Sequence, residues 1–408
     1  MSRTGPVGRT SATRGTRARA SSAAGDWPFV LAVFASSRAF FLLAGALAAY
    51  FLPWAEPAGS PLEPPGLLNY WAHWDGAWYS EIATDGYDAR YPASTAFFPA
   101  YPMLLRLGSE LGGGPALWGV LISLGATLLS LYFLYSIAEK LYDNHTARAA
   151  TLAFAFFPTA FFLNAVYTES LFLALTTGTI WAAYVRRDLL LAGILGALAA
   201  ATRNLGVLLL IPLFLEWRRN RREFGTSGLV ALGLVPVGLL AYTVFLAGRF
   251  GDPFVFVRQQ GEYWGRTLTS PLVTAQHAWE AAGEGARYIL HPATLFLGDP
   301  SAPSLQASNT VSLVFLIGFV ALMVIGLSVL PPGLSIYALI ITLLPVLTPT
   351  PSFPLMSMPR FVLGAFPIFL VIGYLLARRP TALMVWLVTS ALVGVALTAL
   401  FTTWRWVA

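Results

Sequence analysis

The sequence predicts an all-α polytopic membrane protein of about 11 transmembrane or re-entrant helices, with two long outer loops carrying interfacial helices. Composition is the first reason. Hydrophobic residues make up 57% of the 408 positions and charged residues 11%, whereas a soluble domain carries about 25% charged residues. Block length is the second. The apolar residues come in runs of roughly 15–25, the length a helix needs to cross about 30 Å of hydrocarbon. Charge placement is the third, because arginines collect in the short turns between alternate runs.

From the N-terminus, residues 1–25 form a basic Arg/Ser/Thr/Ala/Gly tail without apolar periodicity, expected to be disordered. Residues 26–408 are expected to form a single membrane domain. The first apolar run, Trp27 to Leu52, is longer than the core of a cleaved signal peptide and reads as a span. Hydropathy places the runs at about 28–52, 113–137, 149–166, 169–185, 189–202, 204–217, 227–248, 309–330, 333–349, 360–377 and 381–402. The pair 189–202 and 204–217 is too short for two crossings and reads as a re-entrant or bent hairpin around Arg203-Asn204.

Orientation follows from the basic residues. With the N-terminus in the cytoplasm, the inner segments hold 15 of the 25 basic residues, including the Arg186-Arg187 and Arg378-Arg379 turns. The outer segments then hold 13 of the 19 acidic residues. Two outer segments are long, loop A at about 53–112 and loop B at about 249–308. Both are too rich in Trp, Tyr and Asp to be plain linkers. The net charge of +6 is almost all arginine, Lys140 being the one lysine. Its placement points to membrane orientation and not to nucleic acid.

The residue content removes several chemistries. With no cysteine there are no disulfides, thiolate nucleophiles or cysteine metal sites. The acids of loop B (Asp252, Glu262, Glu280, Glu284, Asp299) show no metal-ligand spacing, and His145, His277 and His291 stand alone. Gly112-Gly113-Gly114 lacks the Lys-Ser/Thr of a phosphate loop. No internal repeat of the transporter type is present.

Five clusters could carry chemistry. In loop A, Trp71, Trp74, Trp78 and Ile82 recur at helical spacing beside Asp75, with Gly86 as the expected stop. An aromatic membrane anchor with solvated acids is the plainer reading of this stretch. Phe97-Phe98-Pro99-Ala100-Tyr101-Pro102 is expected to make a rigid, non-helical entry to the next span. Tyr167-Thr168-Glu169-Ser170 places a carboxylate between apolar runs, where it needs a cavity or a partner. Arg203-Asn204 places a cation in a similar position, and a structural Arg203–Glu169 pair is the plainer account of both. In Ser357-Met358-Pro359-Arg360-Phe361, Arg360 either snorkels or binds an anion. One candidate base and several cations near a membrane surface suit a lipid-linked phosphate. Arg203 and Arg360 would then pair its oxygens.

These motifs resemble, in order and over about residues 28–377, those of the GT-C glycosyltransferases. More narrowly the chain is similar to a bacterial PIG-V-like protein, related to the eukaryotic mannosyltransferase that adds the second mannose of the GPI anchor. The resemblance rests on His73-Trp74-Asp75 with Tyr79, Ile82-Ala83 and Gly86-Tyr87; Phe97-Phe98-Pro99 with Tyr101-Pro102; Tyr167-Thr168-Glu169-Ser170; Arg203-Asn204 with Gly206; and Pro359-Arg360-Phe361 before Phe366-Pro367. It implies a GT-C-like bundle and an inverting transfer of mannose from a polyprenyl-phosphate donor to a lipid or glycan acceptor. No metal or other cofactor is implied. The site would lie at the outer face of the bacterial cytoplasmic membrane. Asp75 would be the catalytic base, with His73, Trp74, Tyr79, Tyr101, Tyr167, Glu169, Arg203, Asn204 and Arg360 binding substrate. The chain lacks the paired acidic motif of many GT-C enzymes, since Gly76 follows Asp75. Asp85 and Asp88 are therefore substitutes for the base. A flippase or transporter of a lipid-linked sugar, or the same fold with another sugar, remains the competing expectation.

Overall fold

The structure is a computed structural model and describes residues 26–55, 66, 68–298 and 302–407. The expected basic tail, residues 1–25, lies outside them. The described residues form helices and irregular turns. In chain order the helices are α1 (Trp27–Phe51), α2 (Asp75–Asp85), α3 (Ala100–Ser109), α4 (Pro115–Leu141), α5 (Asn144–Ala155), α6 (Thr168–Trp181), α7 (Leu189–Thr202) and α8 (Leu210–Arg219). Next come α9 (Arg221–Phe224), α10 (Ser227–Leu234), α11 (Val237–Phe250), α12 (Val255–Glu262), α13 (Pro271–Ile289) and α14 (Pro292–Leu297). The last are α15 (Ala302–Val329), α16 (Pro332–Leu347), α17 (Met358–Gly364), α18 (Pro367–Leu376) and α19 (Pro380–Thr402).

Local sequence sets the helix starts. Asp26, Asp143 and Asp188 cap α1, α5 and α7, their carboxylates accepting from the backbone N–H groups of Phe29, Thr146 and Leu191. Proline opens α4, α16 and α19 in the first turn, where its missing N–H costs nothing.

The all-helical membrane architecture is as expected, while the structure does not confirm the count of about 11 transmembrane or re-entrant helices. Among the described residues α1, α4, α15 and α19 are long and apolar enough to cross a membrane by themselves. Two bent pairs, α10 with α11 at 42° and α17 with α18 at 84°, are together long and apolar enough to be broken spans or re-entrant loops. The run predicted at 149–166 is helical only to Ala155. Beyond it the chain turns irregularly through a short 3-10 stretch, Ala160–Leu163, to Tyr167. Hydropathy sees apolar length but not backbone continuity, so it merges helix and buried turn into one span.

From Thr159 to Tyr167 that irregular stretch is buried, and several of its polar groups are answered there. Arg38, buried in the middle of α1, donates to the carbonyls of Ala155 (2.8 Å) and Ala160 (2.7 Å) and to Asn164 Oδ1 (3.0 Å). Ser123 and Thr127 on α4 donate to the carbonyls of Ala165 (2.7 Å) and Leu163 (3.1 Å). The Val166 N–H reaches the carbonyl of Trp71 at 2.8 Å, which ties loop A to this turn.

The 189–217 hairpin is present. α7 stops at Arg203, the chain turns back through a 3-10 stretch (Asn204–Leu209), and α8 returns. Arg187 before α7 pairs with Glu216 at the end of α8 and with Glu223 (2.6 Å), closing the open end. Gly206 allows the turn to lie against α7, since a Cβ there would come within 2.3 Å of the Ala200 nitrogen.

The ion pairs fall into separate groups. Asp26–Arg148 (3.8 Å), Asp143–Arg378 (3.2 Å) and the Arg187 pairs gather residues assigned to one side. Asp75 of loop A, Glu169, Arg203 of the hairpin turn and Arg360 of α17 form a second group.

Candidate active site

Asp75 opens α2, not a longer helix beginning near Tyr70 as the tryptophan spacing predicts. Trp71 ends a 3-10 turn (Asn69–Trp71), and Trp74 takes φ 55°, a left-handed value that breaks the helical register. The tryptophans consequently diverge. Trp71 is buried beside Phe401, Trp74 packs edge-on to Trp404 and Trp406, and Trp78 stacks on Phe97. Protein neighbours take up these rings, which the anchor reading would have assigned to the membrane interface. The Asp75 N–H donates to the hydroxyl of Tyr167 (3.2 Å), which in turn donates to the His73 carbonyl (3.1 Å). Tyr167 thus fixes the turn that aims Asp75. Gly86 ends α2 at φ 77°, as expected.

Four of the predicted residues converge. Arg360 Nη1 donates to Asp75 Oδ2 at 2.5 Å, and its Nε lies 3.2 Å from Glu169 Oε1. Arg203 Nη1 donates to the same Glu169 oxygen at 2.6 Å. The chain is therefore Asp75–Arg360–Glu169–Arg203. Its members come from α2, α17, α6 and the hairpin turn. Side-chain exposure falls from 22% at Asp75 to 4% at Glu169, so Asp75 is the carboxylate a substrate can reach. Tyr79 lies below, its hydroxyl 3.2 Å from that of Thr168.

Other predicted binders do other work. His73 is buried, its Nδ1 3.1 Å from the Phe401 carbonyl and its ring stacked on Trp404 at 4.0 Å. Burial pushes its pKa down to about 4. Tyr101 is fully buried, reaching the Gly119 carbonyl at 3.3 Å. Both are core residues with satisfied or enclosed polar atoms, a placement that spacing cannot distinguish from a binding site. Asn204 is exposed at the hairpin turn. The entry around Pro99 to Pro102 is helical and not rigidly extended: Pro102 sits in the first turn of α3, where a proline is tolerated.

One site residue escapes sequence reasoning. Arg266, between α12 and α13, donates to the carbonyls of Thr348 (3.0 Å) and Met356 (3.4 Å). Its guanidinium lies 5.6 Å from the Phe361 ring, which Arg203 and Arg360 also approach at 5.5 and 5.4 Å. A lone arginine in a polar loop carries no signal of such a position.

A largely apolar cavity of about 790 Å³ lies among the helices that carry the cluster, though none of the four cluster residues lines it. Its walls include Ile82 of α2, Met103 of α3, Leu171 of α6, Thr202 of α7 and Tyr242 and Phe245 of α11. Ile82 shares α2 with Asp75, Leu171 follows Glu169 by two residues, and Thr202 precedes Arg203.

Fold and site together define a polytopic helical membrane protein with an ionic cluster and a separate apolar cavity on helices that they share. Residues 64–211 of the chain match the model of the mannosyltransferase (PIG-V) family, and over that stretch the protein is PIG-V-like. The matched stretch contains Asp75, Tyr167, Glu169 and Arg203; Arg266 and Arg360 lie beyond it. The chain is 33% identical over 181 residues to the GPI alpha-1,6-mannosyltransferase 2 of Mus musculus, covering 39% of this chain and 34% of that protein. It is 36% identical over 123 residues to the Homo sapiens protein of the same name, covering 27% and 24%. The chain thus matches about a third or less of the length of these relatives. Among solved structures, ArnT from Cupriavidus metallidurans bound to undecaprenyl phosphate has a TM-score of 0.49 at 13% identity, covering 86% of this chain and 61% of that one. The Archaeoglobus fulgidus oligosaccharyltransferase in complex with Zn and sulfate has a TM-score of 0.42 at 14% identity, covering 90% and 53%.

Proposed function

We propose that the protein is a membrane mannosyltransferase of PIG-V type. It moves mannose from a polyprenyl-phosphate donor to a lipid or glycan acceptor, with inversion, at the outer face of a bacterial cytoplasmic membrane. The observation that carries this reading is the placement of Asp75. It is the more accessible of the two carboxylates in the ionic chain, 22% exposed against 4% for Glu169, and its helix also lends Ile82 to a cavity suited to a lipid tail. The names of the relatives supply the sugar, and the arginine-rich turns at the opposite end supply the orientation.

Arg360 donates to Oδ2 of Asp75, which leaves Oδ1 to accept the proton of the acceptor hydroxyl. The hydroxyl oxygen attacks the anomeric carbon from the face opposite the phosphate. The bond from that carbon to the phosphate oxygen breaks, and the phosphate leaves with the electron pair. Negative charge grows on the phosphate as the bond breaks, and cations near the cluster stabilise it there. Glu169, buried and shared by two arginines, positions Arg203 and Arg360.

The test is transfer of labelled mannose from polyprenyl-phosphate-mannose to membrane lipid extract by the purified protein in lipid. Transfer that Asp75→Asn abolishes supports the reading. Full transfer by Asp75→Asn removes Asp75 from the chemistry. Vesicles in which the wild-type protein moves the lipid across the bilayer without forming a glycosidic bond would establish a flippase instead.

A further inference from the structure

Arg203 and Arg360 are the cations the sequence offers for a phosphate, but the structure commits both to carboxylates. Three guanidinium groups surround Phe361, and among the described residues two carboxylates, Asp75 and Glu169, answer them. The unanswered cation is Arg266. Its hydrogen-bond partners among the described residues are two neutral carbonyls, of Thr348 and Met356. It is near enough to Asp75 and Arg360 to feel both charges. Burial and the Arg360 cation push its pKa down to about 10, the mark of a cation short of negative charge.

Two other arginines, Arg38 and Arg405, also bond backbone carbonyls, but both are fully enclosed. Arg266 keeps partial exposure and stands at the site. Its backbone is held on both sides. Tyr263 meets Trp78 edge-on at 5.8 Å and Trp264 meets Phe97 at 5.8 Å, which ties the loop to α2 and its neighbour. Beyond Arg266, the N–H groups of Thr267 and Thr269 donate to the carbonyls of Pro349 (3.3 Å) and Leu347 (3.0 Å). Gly265 adopts φ 67° between these two attachments, against Pro351. The loop therefore forms a strap from α2 to the approach to α17, with Arg266 at its centre.

We propose that Arg266 binds the phosphate oxygens of the polyprenyl-phosphate substrate, supplying the charge that Arg203 and Arg360 spend on Glu169 and Asp75. The inference rests on the phosphate-donor reading above. A planar guanidinium with N–H groups to spare matches a phosphate.

The experiment measures binding of undecaprenyl phosphate, undecaprenol and inorganic phosphate to the full-length protein in nanodiscs, for wild type, Arg266→Gln and Arg266→Lys. Wild type should prefer the lipid phosphate to the alcohol. Arg266→Gln should weaken lipid-phosphate binding by about tenfold or more and leave undecaprenol binding unchanged, with Arg266→Lys intermediate. In transfer assays Arg266→Lys should raise the donor KM and leave the acceptor KM alone. Both variants binding the lipid phosphate like wild type overturns the role of Arg266 while leaving the transferase reading standing. A wild type indifferent to the phosphate overturns both. Inorganic phosphate binding as tightly as the lipid phosphate, and displacing it, would make the site one for a free anion and overturn the lipid assignment.

Discussion

Arg360 bridges Asp75 and Glu169, its Nη1 2.5 Å from one carboxylate and its Nε 3.2 Å from the other, across 285 residues of chain between Arg360 and Asp75. The two carboxylates differ in surroundings. Asp75 opens to the site, whereas Glu169 lies under two arginines with one oxygen, Oε2, buried and unpartnered. The same chemical change at each should therefore read out in different assays.

Asp75→Asn removes the proton acceptor with little change of volume. A positioned general base contributes about 10²–10⁴-fold to a rate, so transfer should fall by about that factor while the thermal midpoint stays near wild type. Glu169→Gln instead leaves Arg203 without its carboxylate and Arg360 with half of its own. Breaking a buried pair from one side costs about 3–5 kcal/mol. This variant should unfold well below wild type, and Glu169→Gln with Arg203→Gln should recover part of the loss. Thermal unfolding of the four proteins in one detergent checks both halves. An Asp75→Asn protein less stable than Glu169→Gln would reverse the assignment.

His73 predicts a pH dependence of stability. It sits among Trp54, Tyr70, Phe401 and Trp404, and burial pulls its pKa from the usual 6.5 to about 4. The unfolded chain binds the proton below about pH 6.5, and the folded protein only near pH 4. Stability from this residue is therefore complete above pH 6.5 and is lost as pH falls from 6.5 towards 4. The loss is on the order of 3 kcal/mol. The midpoint of His73→Phe should be flatter than wild type across that window. Equal slopes for both proteins would show that other groups set the acid limit.

Hydropathy and motif spacing make much of this molecule legible, and the failures have a common cause. Glu169 and Arg203 stand out because an ionisable residue between apolar runs is costly unless paired, Arg360 because it stands where a loop enters a run, and Asp75 through its aromatic neighbours and motif; the structure pairs all four. His73 and Tyr101 carry the same motif signal but turn into the core, since a motif records which residues occur together and not which way each side chain points. Arg38 is visible as an arginine inside an apolar run, yet apart from Ser37 beside it its acceptors lie 117 to 126 residues away. They are also mostly backbone carbonyls, which leave no trace in side-chain identity. The break after Ala155 is hidden for the same reason: Phe157, Phe161, Phe162 and Leu163 are as apolar as any helix.

Arg38 is accordingly a test of how the break is sustained. Arg38→Met keeps the length and loses every donor. It orphans the carbonyls of Ala155 and Ala160 and the side-chain oxygen of Asn164 in a region closed to water. Each buried orphan costs about 1–3 kcal/mol, so the variant should be severely destabilised despite having no contact with the ionic cluster. Arg38→Lys keeps the charge but lacks the planar fork that reaches both carbonyls, and should restore only a minor part. Expression and thermal unfolding of both variants measure this. A stable Arg38→Met protein would mean that the irregular stretch is held by Ser123, Thr127 and Thr159 instead.

Gly206 links the hairpin to the chemistry. Its N–H donates to the Arg203 carbonyl at 2.9 Å, so the turn that presents Arg203 to Glu169 closes on this glycine. A Cβ at 206 would meet Ala200 N at 2.3 Å and the Ala199 carbonyl carbon and oxygen at 2.4 and 2.6 Å, all backbone atoms of α7 that cannot swing aside. Gly206→Ala must therefore push the turn off α7, at a packing cost of about 1–3 kcal/mol. Arg203 moves with the turn, and its 2.6 Å contact with Glu169 is lost or lengthened. Activity should fall by more than the stability loss accounts for, measured at a temperature where the variant is fully folded. Gly233→Ala gives the comparison: a Cβ there meets nothing within 4 Å, and it should leave both transfer and the thermal midpoint near wild type. Equal behaviour of the two alanine variants would show that the hairpin turn does not hold Arg203 in place.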